Sequence, residues 1–167
     1  VDQFMPNAKA FDQMGKITSA LAMTILDAIA AGTLAAIIAF VLAVIASRVS
    51  GVGGPVQMVI RAFATVLRNI PTVAWGFILL FSFKQAEFTG FLALFFKSLG
   101  FLTRAFIETI DEADAGSIEA LKATGASKLQ VIVHGVFPLS LTQVVSWVLY
   151  MIETNFRDAT LVGMLTG

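Results

Sequence analysis

Five polar residues recur along the last apolar stretch of the chain at intervals of three, four, three and four. They are Gln143, Ser146, Tyr150, Glu153 and Arg157. On a helix this spacing places all five on one face, which is expected to border a polar path rather than lipid. There Arg157 offers a guanidinium to an oxyanion. A structural alternative stays open, because Glu153 and Arg157 are four residues apart and can pair with each other.

Other ionisable residues stand among apolar neighbours. Asp27 interrupts an apolar run and is therefore a functional candidate, but the span can begin after it, which favours a structural place at the outer interface. Lys97 and Arg104 are expected to face protein or water. The chain has no cysteine and a single histidine, His134, so thiolate chemistry and a metal site are not predicted. His134 is expected to be a surface or packing residue.

The composition indicates which solvent the chain folds in. Hydrophobic residues make up 57% of the 167 residues and charged residues 13%, whereas a soluble domain has about 25% charged residues. Such a chain has too few charges to cover a soluble exterior, so it is predicted to lie in a membrane. The formal net charge of +0 gives no basic footprint for nucleic acid and no acidic tail.

Four apolar segments are predicted to span the membrane: Ala28–Ser47, Thr72–Phe83, Phe88–Ile107 and Leu139–Ile152. The first passes about 20 residues without a charge, enough to cross roughly 30 Å of hydrocarbon, and its small residues recur every fourth position. The fourth span begins either at Leu139 or before Pro138, and the polar residues at 153–158 are expected to end it. Residues 56–68 are predicted to lie near an interface, with Arg68 reaching the headgroups. Residues 1–17 are expected to form an extracytoplasmic segment, and residues 18–167 the transmembrane domain.

The segment 108–138 is far more polar than its neighbours, which predicts a loop outside the bilayer core. Asp114 can cap a helix over residues 115–123, and Gly125 can supply the left-handed turn that ends it. Ser127 and Gln130 have capping-box spacing, so a second helix is predicted to start there. A DNA-binding helix-turn-helix has this outline, but the loop holds more acids than bases. Basic residues near the span ends favour a cytoplasmic loop by six to four.

The same segment carries a recognisable motif. Glu119-Ala120-Leu121, then three residues, Gly125, and a further stretch that ends at Pro138 resemble the EAA motif of ABC-transporter permease subunits. This sequence departs from that motif at three positions, which hold Leu121, Gly135 and Phe137 where the family usually has Ala, Ile and Leu.

Two further stretches resemble the phosphonate-type permeases of this family. Arg68-Asn69-Ile70-Pro71, followed by Trp75, is similar to the R-x-I-P start of a core helix, and the polar residues from Tyr150 to Gly163 are similar to the family's last motif. The similarity runs from about residue 19 to residue 167. Family members have a further helix on each side, so the chain is expected to be part of a longer protein.

The resemblance implies an all-α polytopic membrane protein with a type I ABC importer (MetI-like) permease fold in the bacterial inner membrane. It implies a non-catalytic subunit for uptake of phosphonate, phosphite or a related oxyanion. Its expected partners are ABC ATPase subunits, an extracytoplasmic binding protein and a second permease copy, with ATP and magnesium held by the ATPase. The residues that the resemblance assigns to ATPase coupling are Glu119, Ala120, Leu121, Gly125, Ala126, Ser127 and Pro138.

Two rival functions stay open at this point. An ion-coupled secondary transporter would use Asp27, Lys97 and Glu153 as couplers and would move substrate on an ion gradient alone. A membrane-anchored regulator would use the helix-turn-helix outline of the polar segment to bind DNA, which gel shifts at physiological salt would reveal.

Overall fold

The computed structural model of the chain describes residues 8–50, 54–83, 86–112 and 115–166, and every element within those ranges is helical. The helices are α1 (Ala8–Ala46), α2 (Gly54–Asn69), α3 (Thr72–Phe83), α4 (Ala86–Asp111), α5 (Ala115–Ala123), α6 (Lys128–Val131) and α7 (Phe137–Thr166). Three stretches are long and apolar enough to cross a membrane: Met14–Ala46, Phe88–Asp111 and Lys128–Thr160. This architecture confirms the prediction of an all-α, multi-pass protein.

Helix α1 packs along α4 through its small residues. Ala31, Ala35, Ala39 and Ala43, which recur every fourth position, have no exposed surface, so the close approach predicted from their spacing is confirmed. The helix starts about five turns before the predicted span, at Ala8, and passes through Asp27 without a break. Asp27 lies level with the first turns of α4, because it lines a cleft together with Phe88 and Phe91.

Helices α2 and α3 are together long and apolar enough for one span, but a sharp bend separates them. They meet at an angle of 93°, and Pro71 lies at the bend, where it lacks a backbone N–H and disfavours helical geometry at Ile70. The backbone of α2 at Leu67 and Arg68 contacts Gly100, which lies near the middle of the 26 residues of α4. The prediction that Arg68 reaches the headgroups is therefore wrong, since the end of α2 lies halfway along the neighbouring span.

The end of α4 near α5 is fixed by Asp111. Its carboxylate accepts hydrogen bonds from the Arg61 guanidinium at 2.6 Å and from the Arg48 backbone N–H at 2.8 Å. Arg61 also donates to the carbonyl of Ala46, the last residue of α1, at 3.0 Å. One ion pair thus ties the ends of α1 and α4 to α2, and it satisfies a helix carbonyl that has no partner within α1.

Helices α6 and α7 form one continuous helix through a π turn at residues 132–136. Pro138 explains the turn, because a proline ring clashes with the carbonyl four residues earlier and removes one hydrogen bond of a regular helix. The Phe137 N–H donates to the Ile132 carbonyl instead. The fourth span thus begins before the proline, as one of the two alternatives held. The prediction that residues 153–158 end it is wrong, since α7 continues to Thr166.

Candidate functional site

The first helix of the polar segment, α5, lies where the sequence predicts it and ends in a glycine turn. Gly125 has a φ of 81°, a left-handed conformation that favours glycine. Its N–H donates to the Lys122 carbonyl at 3.0 Å, and the Ala126 N–H donates to the Leu121 carbonyl at 3.3 Å. These two bonds make a Schellman motif, which fixes the direction of the chain after α5. Asp114, predicted to cap this helix, lies outside the described residues.

The second helix starts at the predicted capping box. The Gln130 side chain accepts a hydrogen bond from the Ser127 N–H at 2.7 Å, and the Gln130 N–H donates to the Ser127 hydroxyl at 3.4 Å. Because this helix continues into α7, α5 is connected to the last span through the Gly125 turn. A free recognition helix is absent from this described segment, which argues against the DNA-binding alternative.

The outer surface of α5 is open, while its inner surface is anchored. Glu119, Ala120 and Lys122 are exposed, and Ile118 is 5% exposed and belongs to the main hydrophobic core. Exposure fits a docking surface for a partner and equally a solvated helix face.

Two of the departures from the motif compensate for each other. A Cβ atom on Gly135 would lie 2.8 Å from the Leu121 Cδ1 atom, so the larger residue at 121 occupies the space that the usual Ile at 135 would need. The inner contact between α5 and the π turn is therefore kept with the large and small residues exchanged.

The five polar residues of α7 lie on one face, as their spacing predicts. All five are exposed in the single chain, and Glu153 and Arg157 have side chains that are 67% and 69% exposed. The Arg157 guanidinium donates to the Glu153 carboxylate at 2.7 Å. These two residues therefore pair with each other, as the structural alternative predicted. We call these five residues the outward stripe.

A cleft of about 480 Å³ lies at the α5 end of the outward stripe. Gln143 and Trp147 line it from α7, Glu108 and Thr109 line it from α4, and Glu112 lines it from the turn after α4. The Trp147 indole donates to the Thr109 hydroxyl at 3.3 Å, which links the two helices there. The carboxylates of Glu108 and Glu112 make this cleft unfavourable for an anion.

The opposite face of α7 carries a polar network that the spacing of the five stripe residues did not predict. Asp158 pairs with Lys97 of α4 and accepts a hydrogen bond from the Thr72 hydroxyl of α3 at 2.7 Å. The side chains of Lys97 and Asp158 are 23% and 17% exposed. The expectation that Lys97 faces protein is confirmed, and the pair joins three helices near the middle of α4.

The second part of this network is fully buried. Asn155 and Ser98 have 0% exposed surface, and the Asn155 amide donates to the Ser98 hydroxyl at 3.0 Å and to the Ala28 carbonyl at 3.4 Å. A second stripe at Met151, Asn155 and Asp158 was the signal available in the sequence. The polar row through Glu153 and Arg157 was the one predicted, and the neighbouring row through Asn155 and Asp158 was not considered.

The remaining candidates stay outside these clusters. His134 is exposed and lines a shallow pocket beside Gly125 and Gln130. Asp27 is half-buried at the far end of the bundle. Among the described residues no group of three or more His, Cys, Asp or Glu side chains could hold a metal ion.

Comparison with known proteins places this arrangement. The family described as binding-protein-dependent transport system inner membrane component matches residues 39–167. The phosphite transport system permease protein PtxC of Stutzerimonas stutzeri is 32% identical over 142 residues, which cover 85% of this chain and 52% of PtxC. The phosphate-import permease protein PhnE of Mycolicibacterium smegmatis is 29% identical over 154 residues, which cover 92% of this chain and 29% of that protein.

The fold comparison agrees. A crystal structure of an amino acid ABC transporter with histidines superimposes with a TM-score of 0.67 at 17% identity, covering 93% of this chain and 76% of that one. The chain spans about half the length of PtxC and 29% of the length of PhnE.

Proposed function

The chain belongs to the family of binding-protein-dependent transport system inner membrane components, and from that premise we propose that it is the permease subunit of an ATP-driven importer. Its proposed cargo is phosphite, phosphonate or a related oxyanion, the class that the names of its relatives give. The chain hydrolyses nothing in this proposal. ATP and magnesium are held by a partner ATPase, and an extracytoplasmic binding protein delivers the substrate.

One observation carries the proposal: the open surface of α5 is joined to the outward stripe by a single rigid connection. The Schellman turn at Gly125 and the capping box at Ser127 fix α5 to the helix that begins at Lys128. That helix continues to Thr166, so it carries all five stripe residues. A partner that pulls on α5 therefore moves the stripe.

The proposed coupling residues fall into two groups. Glu119 and Ala120 are exposed and form a surface that a groove on the ATPase can cover. An ion pair at the rim of that contact would add only about 0 to 1 kcal/mol to the binding free energy. Leu121, Gly125, Ala126, Ser127 and Pro138 hold the joint between α5 and α7. Pro138 acts through the π turn, a rare irregularity of helices that is frequently found at functional sites.

The outward stripe is the proposed wall of the translocation path. Its five polar groups are exposed in the single chain, and lipid is a poor environment for them. We assign a second permease copy as the partner that faces them, which would enclose a polar path between the two copies.

Family membership argues against the two rival functions. A secondary transporter would use Asp27, Lys97 and Glu153 as ion couplers, but Lys97 and Glu153 are paired with Asp158 and Arg157. The predicted DNA-binding element is part of the continuous helix that leads into α7.

Cysteine cross-linking tests the coupling proposal. The 167 residues contain no cysteine, so Ala120→Cys and Thr18→Cys each introduce one exposed thiol into this region, at opposite ends of the bundle. A photoactivated maleimide on Ala120→Cys is expected to capture the ATPase in membranes, whereas the Thr18→Cys control is not. Capture from both positions, or from neither, would contradict the assignment of α5 as the coupling helix.

A further inference from the structure

The arginine at the end of α2 has its backbone packed against the middle of α4, while the residue itself is exposed. A Cβ atom on Gly100 would be 2.6 Å from the Arg68 backbone nitrogen and 2.6 Å from the Leu67 Cβ. Gly100 is near the middle of α4, a helix of 26 residues that reaches about 39 Å at 1.5 Å per residue. The bent pair of α2 and α3 therefore brings the Arg68 backbone to mid-membrane depth.

Arg68 differs from the other cations at this depth in its partners. Lys97 is paired with Asp158, and Arg157 is paired with Glu153. Within the ranges that the structure describes, Arg68 has no carboxylate partner, and its exposed guanidinium lies 5.7 Å from the centre of the Phe101 ring. A guanidinium at this depth is costly without an anion or water, and a ring face compensates only part of that cost.

The Phe101 ring links Arg68 to the outward stripe. The Tyr150 ring centre lies 5.7 Å from the Phe101 centre, and the Trp147 ring centre also lies 5.7 Å from it. Tyr150 is 46% exposed, and its phenol is a hydrogen-bond donor. The guanidinium of Arg68 and the ring of Tyr150 thus both lie against the Phe101 ring, and both residues are exposed.

We propose that Arg68 and Tyr150 form a binding site for the transported oxyanion halfway across the membrane, with Phe101 as the ring on which both are positioned. This inference rests on the proposed function and names a residue outside the outward stripe. The guanidinium presents parallel N–H groups that match two oxygens of a tetrahedral phosphorus oxyanion, and the phenol donates to a third. Arg157 is the weaker candidate, because it already donates one hydrogen bond to Glu153, whose carboxylate would repel an anion.

The test uses the full-length permease, assembled with its ATPase and binding protein in vesicles. The probes are phosphite, methylphosphonate and inorganic phosphate, and the readout is the amount transported per ATP hydrolysed. Arg68→Gln is expected to lower this ratio about tenfold, since it removes a charge-assisted bidentate contact. Arg68→Lys keeps the positive charge but loses the bidentate geometry, so its ratio is expected to lie between those of the wild type and Arg68→Gln. Tyr150→Phe is expected to lower the ratio about threefold.

Arg104→Gln is the matched control, since it removes a guanidinium whose partner is the exposed Glu108 of the same helix. Its ratio is expected to equal that of the wild type. A wild-type ratio in Arg68→Gln overturns the site. So does a parallel fall of transport and ATP hydrolysis at a constant ratio, which assigns Arg68 a structural role. If the wild-type complex carries none of the three probes, the proposed function itself fails, and the site falls with it.

Discussion

Helix α7 has two polar faces that differ in how their polar groups are satisfied. On the face toward the bundle, Asn155 and Asp158 have partners on three other helices and little or no exposed surface. On the other face, the outward stripe makes one ion pair, between Glu153 and Arg157, and lies open.

This difference distinguishes polar side chains that stabilise the fold of an apolar protein from polar side chains that are available for function. A polar group inside the bundle is retained when neighbouring helices satisfy it, because an unsatisfied one costs several kcal/mol. An open polar face that no element of the same chain covers needs water, substrate or another subunit. The bundle face therefore holds the helices together, and the outward stripe is the face that we propose for transport.

The largest effect is expected from breaking the partly buried ion pair between Lys97 and Asp158. Asp158→Leu leaves Lys97 without its carboxylate, which is expected to cost about 3 kcal/mol or slightly more, near the low end for buried pairs because both side chains retain some exposure. The measurement is thermal unfolding of the purified protein in detergent. The double variant Lys97→Met/Asp158→Leu is expected to recover most of the loss, whereas Glu153→Gln on the outward stripe should change stability little. Equal losses in Asp158→Leu and Glu153→Gln would erase the distinction between the faces.

A slightly smaller effect is expected at the tightest helix contact. Gly100→Ala places a methyl group 2.6 Å from backbone and side-chain atoms of α2, so it is expected to destabilise by about 1 to 3 kcal/mol. Gly76→Ala is the control, since a Cβ there meets no atom within 4 Å and alanine favours a helix by about 1 kcal/mol. Unfolding temperatures that move in opposite directions would support the contact, and a stabilised Gly100→Ala would rule it out.

A further prediction concerns the exchanged residue sizes in the coupling segment. Gly135→Ile adds a branched side chain against Leu121 and is expected to destabilise by about 1 to 2 kcal/mol and to lower ATP-driven uptake. The double variant Leu121→Ala/Gly135→Ile, which restores the usual motif residues, should recover both properties. If Leu121→Ala fails to rescue Gly135→Ile, the two positions do not compensate for each other.

The smallest effect on stability is expected on the outward stripe. Arg157→Gln removes an ion pair between two largely exposed side chains, so the free energy of unfolding should change by less than about 0.5 kcal/mol. Uptake and subunit assembly are measured separately in this variant. Reduced uptake with normal assembly is expected if the stripe lines the path, and unchanged uptake would remove Arg157 from it.

Local signals predicted the polar segment well. Helix α5 has the predicted bounds, Gly125 adopts the left-handed turn, and the Ser127 capping box forms, because each depends on residues within a few positions. The small-residue row of α1 was also predictable, since close helix packing in a membrane requires it.

Features that depend on tertiary contacts were not predictable in the same way. The depth of Arg68 follows from the 93° bend and the contact with Gly100, which no local pattern encodes. The continuation of α7 past residues 153–158 depends on partners such as Lys97, which make a polar stretch tolerable inside the bundle. Charge alone predicted the end of the membrane span there, and that criterion fails when the charges are paired.

The most direct test of the account is the energy source for uptake. The complete transporter, with its ATPase and binding protein, is placed in sealed vesicles and given phosphite, methylphosphonate or phosphate outside. The account predicts accumulation that requires ATP on the ATPase side and the binding protein on the other, with no dependence on an ion gradient. Accumulation driven by a proton or sodium gradient without ATP would contradict it.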